Sequence, residues 1–505
     1  MNCSYCGSSN TKKKGFRTYS DGSQKQTGYC RSCNKRFTVD FLPGESKPSR
    51  FDFSRIEEGE IFVITSVQNN TEINEEFFDT LLNYCDRRGA RLILSPTLYQ
   101  KNLYEDGTLD WYVPRKYLIE DKFSLNGLVN VLSSRIISPT ADNPLSGLDG
   151  LSKGKTLIVP HGQLMMRSLP VQRDSYPVIL HTTGTISHPN YKESKAGEKA
   201  DFNHSYSALV IEFVKDVFHI RVLNCDDNNG FYDIDGYYRG NTFAPIDRVE
   251  ALITGDEHVY VNCPDVSDAT YFSDDSIVNI LRPKVIVRHD VLDCFTVSHH
   301  HRRDNFLQYS KFINQRNMIE RELQSTVEYI IETTPEDTET VIIPSNHHDH
   351  LKRWLNECDP KIEPWNAKIY HQLTYLMLEE IENKDDIYVP DPFKLYIENM
   401  ELENVSFADR NQSFKIKDIE LSNHGDIGAN GARGSISQFS RFADKMVVAH
   451  SHSPGIMKGA YQVGCSTPKE LEYTNGASSW MNTHCVIYPN GKRQLLNIIR
   501  GQWRK

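Results

Sequence analysis

The sequence lacks any apolar run that approaches the ~18 residues needed to cross a membrane. Its start, Met1-Asn2-Cys3-Ser4, also lacks the basic and apolar regions of a secretory signal peptide. From these two absences we expect a cytoplasmic protein that has no membrane partner.

Cysteine is scarce outside the N-terminal segment, and the scattered positions are odd in number. An odd set with wide spacing favours free thiols in a reducing compartment over a disulfide framework. The scattered cysteines are Cys85, Cys225, Cys263, Cys294, Cys358, Cys465 and Cys485.

Basic residues are outnumbered along the chain, whose net charge is −10. The first 40 residues are the exception, because they contain eight basic side chains and only two acidic ones, Asp21 and Asp40. That segment carries +6 and the remainder −16. A local basic patch matters more for contact with nucleic acid than the overall sum does.

The N-terminal segment also holds two short cysteine pairs, Cys3-x-x-Cys6 and Cys30-x-x-Cys33. Four thiolates at this spacing close a tetrahedral Zn²⁺ site with no open position. Residues 1–44 are therefore predicted to form a zinc ribbon that the metal stabilises.

Four basic side chains of this ribbon are interleaved with Phe16 and Tyr19, so they are candidates for holding phosphates beside stacked bases. A ribbon that mediates protein contact or assembly, with a solvated charged face, is the alternative. The candidate nucleic-acid contacts are Lys12, Lys13, Lys14 and Arg17.

A length of 505 residues predicts about three parts. After the ribbon and a linker at 45–50, residues 45–245 are predicted to form an α/β domain of unknown role. A strand at Ile61–Ile64, an amphipathic helix at Glu75–Arg88 and a strand at Arg91–Leu94 indicate one crossover. Loop histidines follow later strands, and no chemistry is assigned to them: His161, His181, His188 and His204.

Five polar blocks recur in the second half, and most follow an apolar run. Polar groups placed directly after buried strands are costly unless they find partners. Carboxylate, imidazole and amide ligands without thiolate suit Mn, Fe or Zn in a two-metal site, which predicts a metal-dependent hydrolase. The blocks are Asp256-Glu257-His258, His289-Asp290-Val291-Leu292-Asp293, Asn346-His347, His424-Gly425-Asp426 and His450-Ser451-His452.

Helical patterns alternate with these strands. A helix is expected within Asp265–Leu281, one long helix over Asn305–Glu332, and others at Asp349–Glu357 and Trp365–Asn383. Asn490-Gly491 predicts a hairpin turn near the end. The expected layout is a sheet with helices on its faces and ligands at its strand ends.

Taken in order, the five blocks resemble the calcineurin-like metallophosphoesterases, whose pattern is DxH, GDxxD, GNH(D/E), a lone H and GHxH. The resemblance covers residues 246–505. It implies an α/β fold in which a metallophosphoesterase β-sandwich is flanked by helices and preceded by the α/β domain and the ribbon.

The resemblance also implies roles for individual residues. Asp256, His258 and His452 would hold a first cation, and Asp290 would be shared between two. A second cation would take Asn346, His424 and His450. His347 would be the general acid, and Asp293 its orienting partner, although Asp349 is a local competitor for that role.

Three positions depart from the family pattern, because His289, Ser345 and Ala449 replace glycines. His289 is the largest change, and it either points away from the metals or adds a phosphate-binding group. His299-His300-His301-Arg302-Arg303 is either a phosphate contact or a solvated loop.

The basic ribbon and the absence of a membrane anchor favour DNA as the substrate. The expected activity is that of a Mn²⁺-dependent DNase of the SbcD-like nuclease branch, with two Mn²⁺ and one structural Zn²⁺. The layout also resembles the pre-early host-DNA-degrading proteins of large tailed coliphages, which would place it in the host cytoplasm as a homo-oligomer. The alternatives are a phosphatase or nucleotide phosphodiesterase, and a non-catalytic nucleic-acid-binding protein.

Overall fold

The computed structural model describes most of the chain. The residues outside the description are 1–5, 7, 9, 19–23, 40–52, 54–55, 100–113, 134–136, 173–174, 216, 386, 443, 470, 472–475 and 505. The predicted zinc ligand Cys3 and the linker at 45–50 fall there. The side chains of Lys13, Lys14 and Arg17 also lie outside the described part.

The N-terminal ribbon is an antiparallel three-stranded sheet. Its strands are β1 (Thr11–Thr18), β2 (Gln24–Cys30) and β3 (Arg36–Val39).

The middle part contains twelve strands and three helices among its described residues. The strands are β4 (Ile61–Gln68), β5 (Arg91–Thr97), β6 (Phe123–Leu125), β7 (Val129–Val131), β8 (Thr156–Val159), β9 (Met165–Leu169), β10 (Val178–Thr182), β11 (Ser207–Val214), β12 (Val217–Asn224), β13 (Gly230–Asp233), β14 (Gly236–Arg239) and β15 (Thr242–Pro245). The helices are α1 (Glu75–Arg88), α2 (Asp149–Ser152) and α3 (Lys195–Phe202).

The C-terminal part continues the alternation of strands and helices. The strands are β16 (Ala251–Ile253), β17 (Val285–His289), β18 (Glu339–Ile343), β19 (Val405–Phe407), β20 (Lys415–Ile416), β21 (Ile419–Glu420), β22 (Met446–Val448), β23 (Gly455–Met457), β24 (Ala460–Gln462), β25 (Asn482–Ile487) and β26 (Arg493–Ile498). The helices are α4 (Pro264–Ser267), α5 (Ile277–Leu281), α6 (Asn305–Ile313), α7 (Ile319–Glu332), α8 (His348–Glu357), α9 (Ala367–Glu382), α10 (Pro392–Glu398) and α11 (Ile436–Phe442).

A six-stranded sheet has the order β19-β18-β17-β16-β25-β26. Its first four strands are parallel neighbours, and the hairpin of β25 and β26 closes the other edge. Parallel strands need long crossover connections, which is where the helices of this part lie. The carboxyl ends of β16, β17 and β18 therefore meet at one edge of the sheet.

A ten-stranded sheet runs through residues on both sides of position 246. Its order is β20-β21-β22-β24-β23-β9-β10-β8-β7-β6. The link between its two halves is the antiparallel pairing of β9 with β23, in which Met166 faces Ile456. The middle and C-terminal parts therefore share backbone hydrogen bonds, while the division at 245 and 246 stays a prediction.

One apolar core lies between the sheets. It contains Phe62 and Leu209 from the four-stranded sheet β12-β11-β4-β5, Val287 from the six-stranded sheet, and Met166 and Val447 from the ten-stranded sheet. Helices cover outer faces, as α1 does where Phe77 and Leu81 pack beneath the four-stranded sheet. The chain is thus a mixed α/β protein with several sheets and helices.

The predicted helix at Glu75–Arg88 is confirmed with the same bounds. The single long helix expected over 305–332 is wrong, because the structure has two helices, α6 and α7. Gln315 has φ +56° between them. A residue in the left-handed region cannot continue a right-handed helix, and the apolar stripe used for the prediction does not reveal it.

Across the part of the chain that the structure describes, no helix combines the length and apolarity needed to span a membrane.

Candidate metal centre

The polar blocks continue the backbone pairing of the sheet beyond its strand ends. The N–H of His258 donates to the carbonyl of Asp290 over 2.7 Å, and the N–H of Glu257 donates to the carbonyl of His289 over 2.9 Å. The N–H of Asp256 donates to Gly464 over 3.1 Å. These bonds fix the first two blocks against each other and against the segment before β25.

Four candidate ligands have backbone conformations that such residues rarely adopt. The φ angles are +40° at His258, +45° at Asp290, +71° at His450 and +57° at His452. Non-glycine residues in this region are strained and concentrate at functional sites. Backbone strain at these four residues supports a functional role for the strand ends.

Asp256, His258, Asp290 and His452 form one fully buried group whose ligand atoms all lie within 4.8 Å of one another. His452 Nε2 lies 2.9 Å from Asp256 Oδ2 and 3.2 Å from His258 Nε2. Ligand atoms ~2.1 Å from one cation lie about 3.0–3.4 Å apart at tetrahedral or octahedral angles. These separations fit a shared metal ion.

The remaining predicted ligands are near the two carboxylates, and His424 Nδ1 lies 3.9 Å from Asp256 Oδ1. His424 Nε2 is 3.1 Å from Asp290 Oδ2, and the rings of His424 and His450 are 5.2 Å apart. The N–H of His450 donates to Asp256 Oδ1 over 3.3 Å. Asn346 follows β18 and presents a shielded side-chain oxygen. Asp290 Oδ2 thus lies 3.8 Å from His258 Nε2 and 3.1 Å from His424 Nε2.

Several shielded ligand atoms have no hydrogen-bond partner within the described structure, although polar atoms lie near them. Buried polar atoms without partners are rare and need an explanation such as a bound ion. The donor set of carboxylate, imidazole and amide oxygen suits a divalent transition metal, so the residues present fit such cations. The clearest cases are Asp290 Oδ1 and Asn346 Oδ1, whereas Asp256 Oδ2 and His424 Nε2 lie 2.9 and 3.1 Å from His452 Nε2 and Asp290 Oδ2 without hydrogen-bond geometry.

Electrostatics keep both carboxylates of the centre ionised. Burial raises the pKa of Asp256, but the neighbouring His424 and His452 lower it to about 2. The pKa of Asp290 is likewise held well below its usual range by His424 and His347, against the opposing effect of burial. Two buried anions amid imidazoles form a site with strong attraction for cations.

Asp293 holds two histidines at once. Its Oδ1 accepts from His258 Nδ1 over 2.7 Å and lies 3.3 Å from His347 Nδ1, whose closer acceptor is the Asp293 carbonyl at 2.9 Å. A donating Nδ1 leaves the Nε2 lone pair of His258 free for a metal. Asp293 thus orients a predicted ligand as well as the predicted acid.

Burial lowers the pKa of His347, but Asp290 and Asp293 outweigh it and raise the pKa to about 10. The imidazole is therefore protonated at neutral pH. Asp349, the local competitor for orienting this ring, is an exposed residue whose carboxylate lies 3.4 Å from Arg410 instead.

His289 lies beside the imidazole of His424, with the ring centroids 5.5 Å apart. It is fully buried, and its Nδ1 lies 3.4 Å from Nδ1 of His424. Burial and the nearby His424 lower the pKa of His289 to about 3, so it is a neutral acceptor. In that role it fixes His424 with Nε2 directed at Asp290, as a partner of a metal ligand does.

A buried ion pair behind the ligands escaped the sequence analysis. Glu257 lies between Asp256 and His258, and its carboxylate accepts from the Arg288 guanidinium over 3.0 and 3.1 Å. Arg288 also donates to Thr333. The available signal was a charged residue ending the apolar strand Val285-Ile286-Val287.

A cavity of about 280 Å³ opens beside the centre, lined by His424, Arg410, Asn411 and Asn423 among others. Arg410 Nη1 lies 3.2 Å from Asp426, which follows His424 by two residues. The cavity therefore combines a guanidinium and amide groups next to a predicted metal ligand.

In the ribbon, Cys6, Cys30 and Cys33 place their sulfur atoms within 4.8 Å of one another. Burial raises the pKa of Cys30, but hydrogen bonds from the Cys33 backbone and from Cys6 lower it to about 6. A thiolate is the form that binds metals. These three cysteines could hold a metal ion. Lys12, one of the predicted nucleic-acid contacts, is exposed on β1.

The histidines predicted for loops of the middle part have ordinary structural contacts, and His181 lies inside β10 rather than in the loop predicted for it. His161 Nε2 lies 3.1 Å from the carbonyl of Ser138, and His204 contacts Tyr191 and Ser187. Burial lowers the pKa of His181 to about 4. The described structure does not bring these side chains into a ligand cluster.

No model of a known protein family matches the chain. Among curated proteins, the chain is 32% identical to Protein A1 of Escherichia phage T5 over 477 residues. The alignment covers 89% of this chain and 83% of Protein A1. Similarity of this extent concerns nearly the whole of both proteins rather than a shared motif.

Proposed function

Because the chain belongs to the family of Protein A1 of Escherichia phage T5, we propose that it is a phage enzyme that hydrolyses DNA with two divalent cations. The buried group of Asp256, His258, Asp290 and His452, with its unpartnered ligand atoms, carries this proposal. The order of the polar blocks supports assignment to the calcineurin-like metallophosphoesterases, and degradation of host DNA is the corresponding phage role.

Seven side chains would hold the cations. Asp290 Oδ2 lies 3.8 Å from His258 Nε2 and 3.1 Å from His424 Nε2, so its carboxylate would be the shared ligand. Bound divalent cations would lower the pKa of a coordinated water and stabilise charge on the phosphoryl oxygens. The cations are expected to be Mn²⁺. The ligands are Asp256, His258 and His452 on one side, and Asn346, His424 and His450 on the other.

His347 would serve the leaving oxygen of the phosphodiester. Its Nδ1 is engaged by Asp293, which leaves Nε2 as the ring atom that can donate a proton. Asp293 continues to favour the imidazolium when cations offset the charge of Asp290. A positioned general acid of this kind contributes about 10²–10⁴-fold to a rate.

DNA is the preferred substrate class because the N-terminal segment concentrates positive charge on an otherwise acidic chain. The cavity beside His424 supports the second candidate, a phosphatase or nucleotide phosphodiesterase, since its size suits part of a nucleotide. In that case the ribbon would serve assembly. A homo-oligomer remains part of the proposal.

The test is an assay of the full-length protein on plasmid, linear duplex and single-stranded DNA, with Mn²⁺, Mg²⁺ or EDTA. We expect cleavage with Mn²⁺ and none with EDTA. His347→Ala should lower kcat about 10²–10⁴-fold, whereas His371→Ala, an exposed histidine on α9, should not.

Rapid turnover of a small phosphodiester together with intact DNA would replace the first candidate by the second. If no substrate were hydrolysed with any of the cations, a non-catalytic nucleic-acid-binding protein would replace both enzymatic candidates.

A further inference from the structure

Three histidines that the proposed chemistry does not use come together beside α8. His299 and His300 lie in the loop after β17, and His350 lies in the first turn of the helix. One ring nitrogen from each falls within 4.8 Å of the others. The ring centroids are 3.8 Å apart for His299 and His300, and 4.9 Å apart for His299 and His350.

This cluster contains polar atoms that its protein surroundings leave unsatisfied. Nδ1 of His299 and Nδ1 of His350 are shielded from solvent and have no hydrogen-bond partner in the described structure. Burial, then the positive charge of His347, lowers the pKa of His350 to about 3. The imidazole is therefore neutral and has a lone pair to offer.

We propose that His299, His300 and His350 form a third metal site that binds Zn²⁺. Imidazole nitrogens without carboxylate are poor ligands for Mg²⁺ and Ca²⁺, and good ligands for zinc and related transition metals. Three protein ligands leave an open coordination position, in contrast to a closed four-cysteine site. The ligand set is separate from that of the two-metal centre.

The alternative occupant is a phosphate, and the neighbouring cations argue against it. Arg302 donates to the carboxylate and the carbonyl of Glu357, over 2.8 and 3.0 Å. Lys311 is buried and is held by the carbonyl of Phe295 and by His301. Arg302 and Lys311 are thus engaged within the loop and with α8. Arg353 of α8 is a further cation, close enough to contribute, after burial, to lowering the pKa of His299. The unsatisfied atoms belong to the imidazoles.

The consequence of the site would be a fixed position for His347. That residue immediately precedes α8, and its ring lies 5.1 Å from the ring of His350. A zinc ion bound by His299, His300 and His350 would tie the loop after β17 to this first turn. It would act in addition to the Arg302–Glu357 pair, which joins the same loop to the end of α8.

The test is the zinc content of the full-length protein, measured by elemental mass spectrometry after equilibration with Zn²⁺ and removal of free metal. His300→Ala should lower the content by one equivalent per chain, and His350→Ala should do the same. His300 is exposed, so its replacement leaves the core intact. His371→Ala on α9 is the matched control and should keep the wild-type content.

At limiting Zn²⁺, the affinity of the cluster for zinc should fall in both His300→Ala and His350→Ala. The loss should exceed the about 10–100-fold that is typical when a hydrogen-bond partner of a metal ligand is removed. Equal zinc content in wild type and His300→Ala would overturn the proposal. So would a loss of inorganic phosphate binding in His300→Ala with unchanged zinc, because the cluster would then be an anion site. The other metal sites are present in wild type and variant alike, so the difference in zinc content isolates the contribution of this cluster. The result therefore does not depend on whether the protein cleaves DNA.

Discussion

At the residue scale, the centre depends on side chains that orient the histidines of the site. Asp293 is the clearest case, since one carboxylate serves both His258 and His347. His289 plays the corresponding part behind His424. Such partners set the tautomer and the direction of a ligand, which is why metal sites lose function when they are changed.

Asp293→Asn should alter the pH dependence of hydrolysis as well as its rate. Asp293 helps raise the pKa of His347, so removing its charge lowers that pKa. The protonated imidazole is the acid, and the alkaline limb of kcat should therefore move to lower pH, by about one unit or more. A pH–rate series for wild type and variant measures the shift.

Asp349→Asn is the control for this series, because Asp349 lies next to Arg410 rather than His347. An unchanged alkaline limb in Asp293→Asn would show that Asp293 does not set the protonation of His347.

At the scale of elements, the ends of β16 and β17 are held together by the pair of Glu257 and Arg288. Both side chains are buried, with exposures of 1% and 0%. Removing one partner of a buried pair leaves the other charge buried without a partner, which typically lowers the free energy of unfolding by about 3–5 kcal/mol. Glu257 lies between the predicted ligands Asp256 and His258, and Arg288 lies two residues before Asp290. Loss of the pair should therefore also disturb those ligands.

We therefore expect Arg288→Met to lower the free energy of unfolding by about 3–5 kcal/mol, as measured by denaturant titration. Lys284→Met, at the start of the same strand, removes a half-exposed partner of Glu250 and should cost about 0–1 kcal/mol. Equal losses in the two variants would contradict a special role for the buried pair.

How much of this could be read from the sequence depends on the range of each interaction. The bounds of α1 were predictable because Asn74 caps the helix, Gly89 ends it, and the apolar stripe between them is local. Most of the polar blocks were predictable because they follow a short apolar strand. The pairing of β9 with β23 joins residues almost 300 positions apart and leaves no local pattern.

The left-handed backbone of His258 and Asp290 was equally hidden, because no glycine marks those positions. The same applies to His350, whose place beside His299 depends on how α8 packs against a distant loop. Ligand identity was therefore accessible from local sequence, while ligand geometry and neighbouring clusters required the fold.

At the scale of the whole molecule, the sheets are joined by side chains as well as by strand pairing. Gln494 of β26 donates to the carbonyl of Val222 in β12, across the edges of two sheets. Beneath this contact, Arg221 donates to Asp233 and to Glu212 in a buried cluster. The cluster makes the stability of the junction dependent on the charge of Asp233.

Burial raises the pKa of Asp233, but Arg221 outweighs it and lowers the pKa to about 2. An aspartate with a depressed pKa stabilises the fold above its unfolded pKa of about 4, and the contribution is lost as pH falls toward 2. The contribution near neutral pH is about 2–3 kcal/mol. Asp233→Asn should lower stability at pH 7 and flatten the loss of stability below pH 4.

Denaturant titrations at several pH values measure this, with Asp385→Asn as an exposed control. A variant with Asp233→Asn that retains the wild-type dependence on acid would show that another group governs the junction.

The central claim is that Asp290 binds the cations on which DNA hydrolysis depends. The most direct measurement is cleavage of linear duplex DNA by wild type and Asp290→Asn as Mn²⁺ is titrated, with bound Mn²⁺ measured on the same samples. We expect cleavage that rises with Mn²⁺ occupancy in wild type, and loss of both occupancy and cleavage in the variant. Wild-type cleavage by Asp290→Asn would contradict this claim.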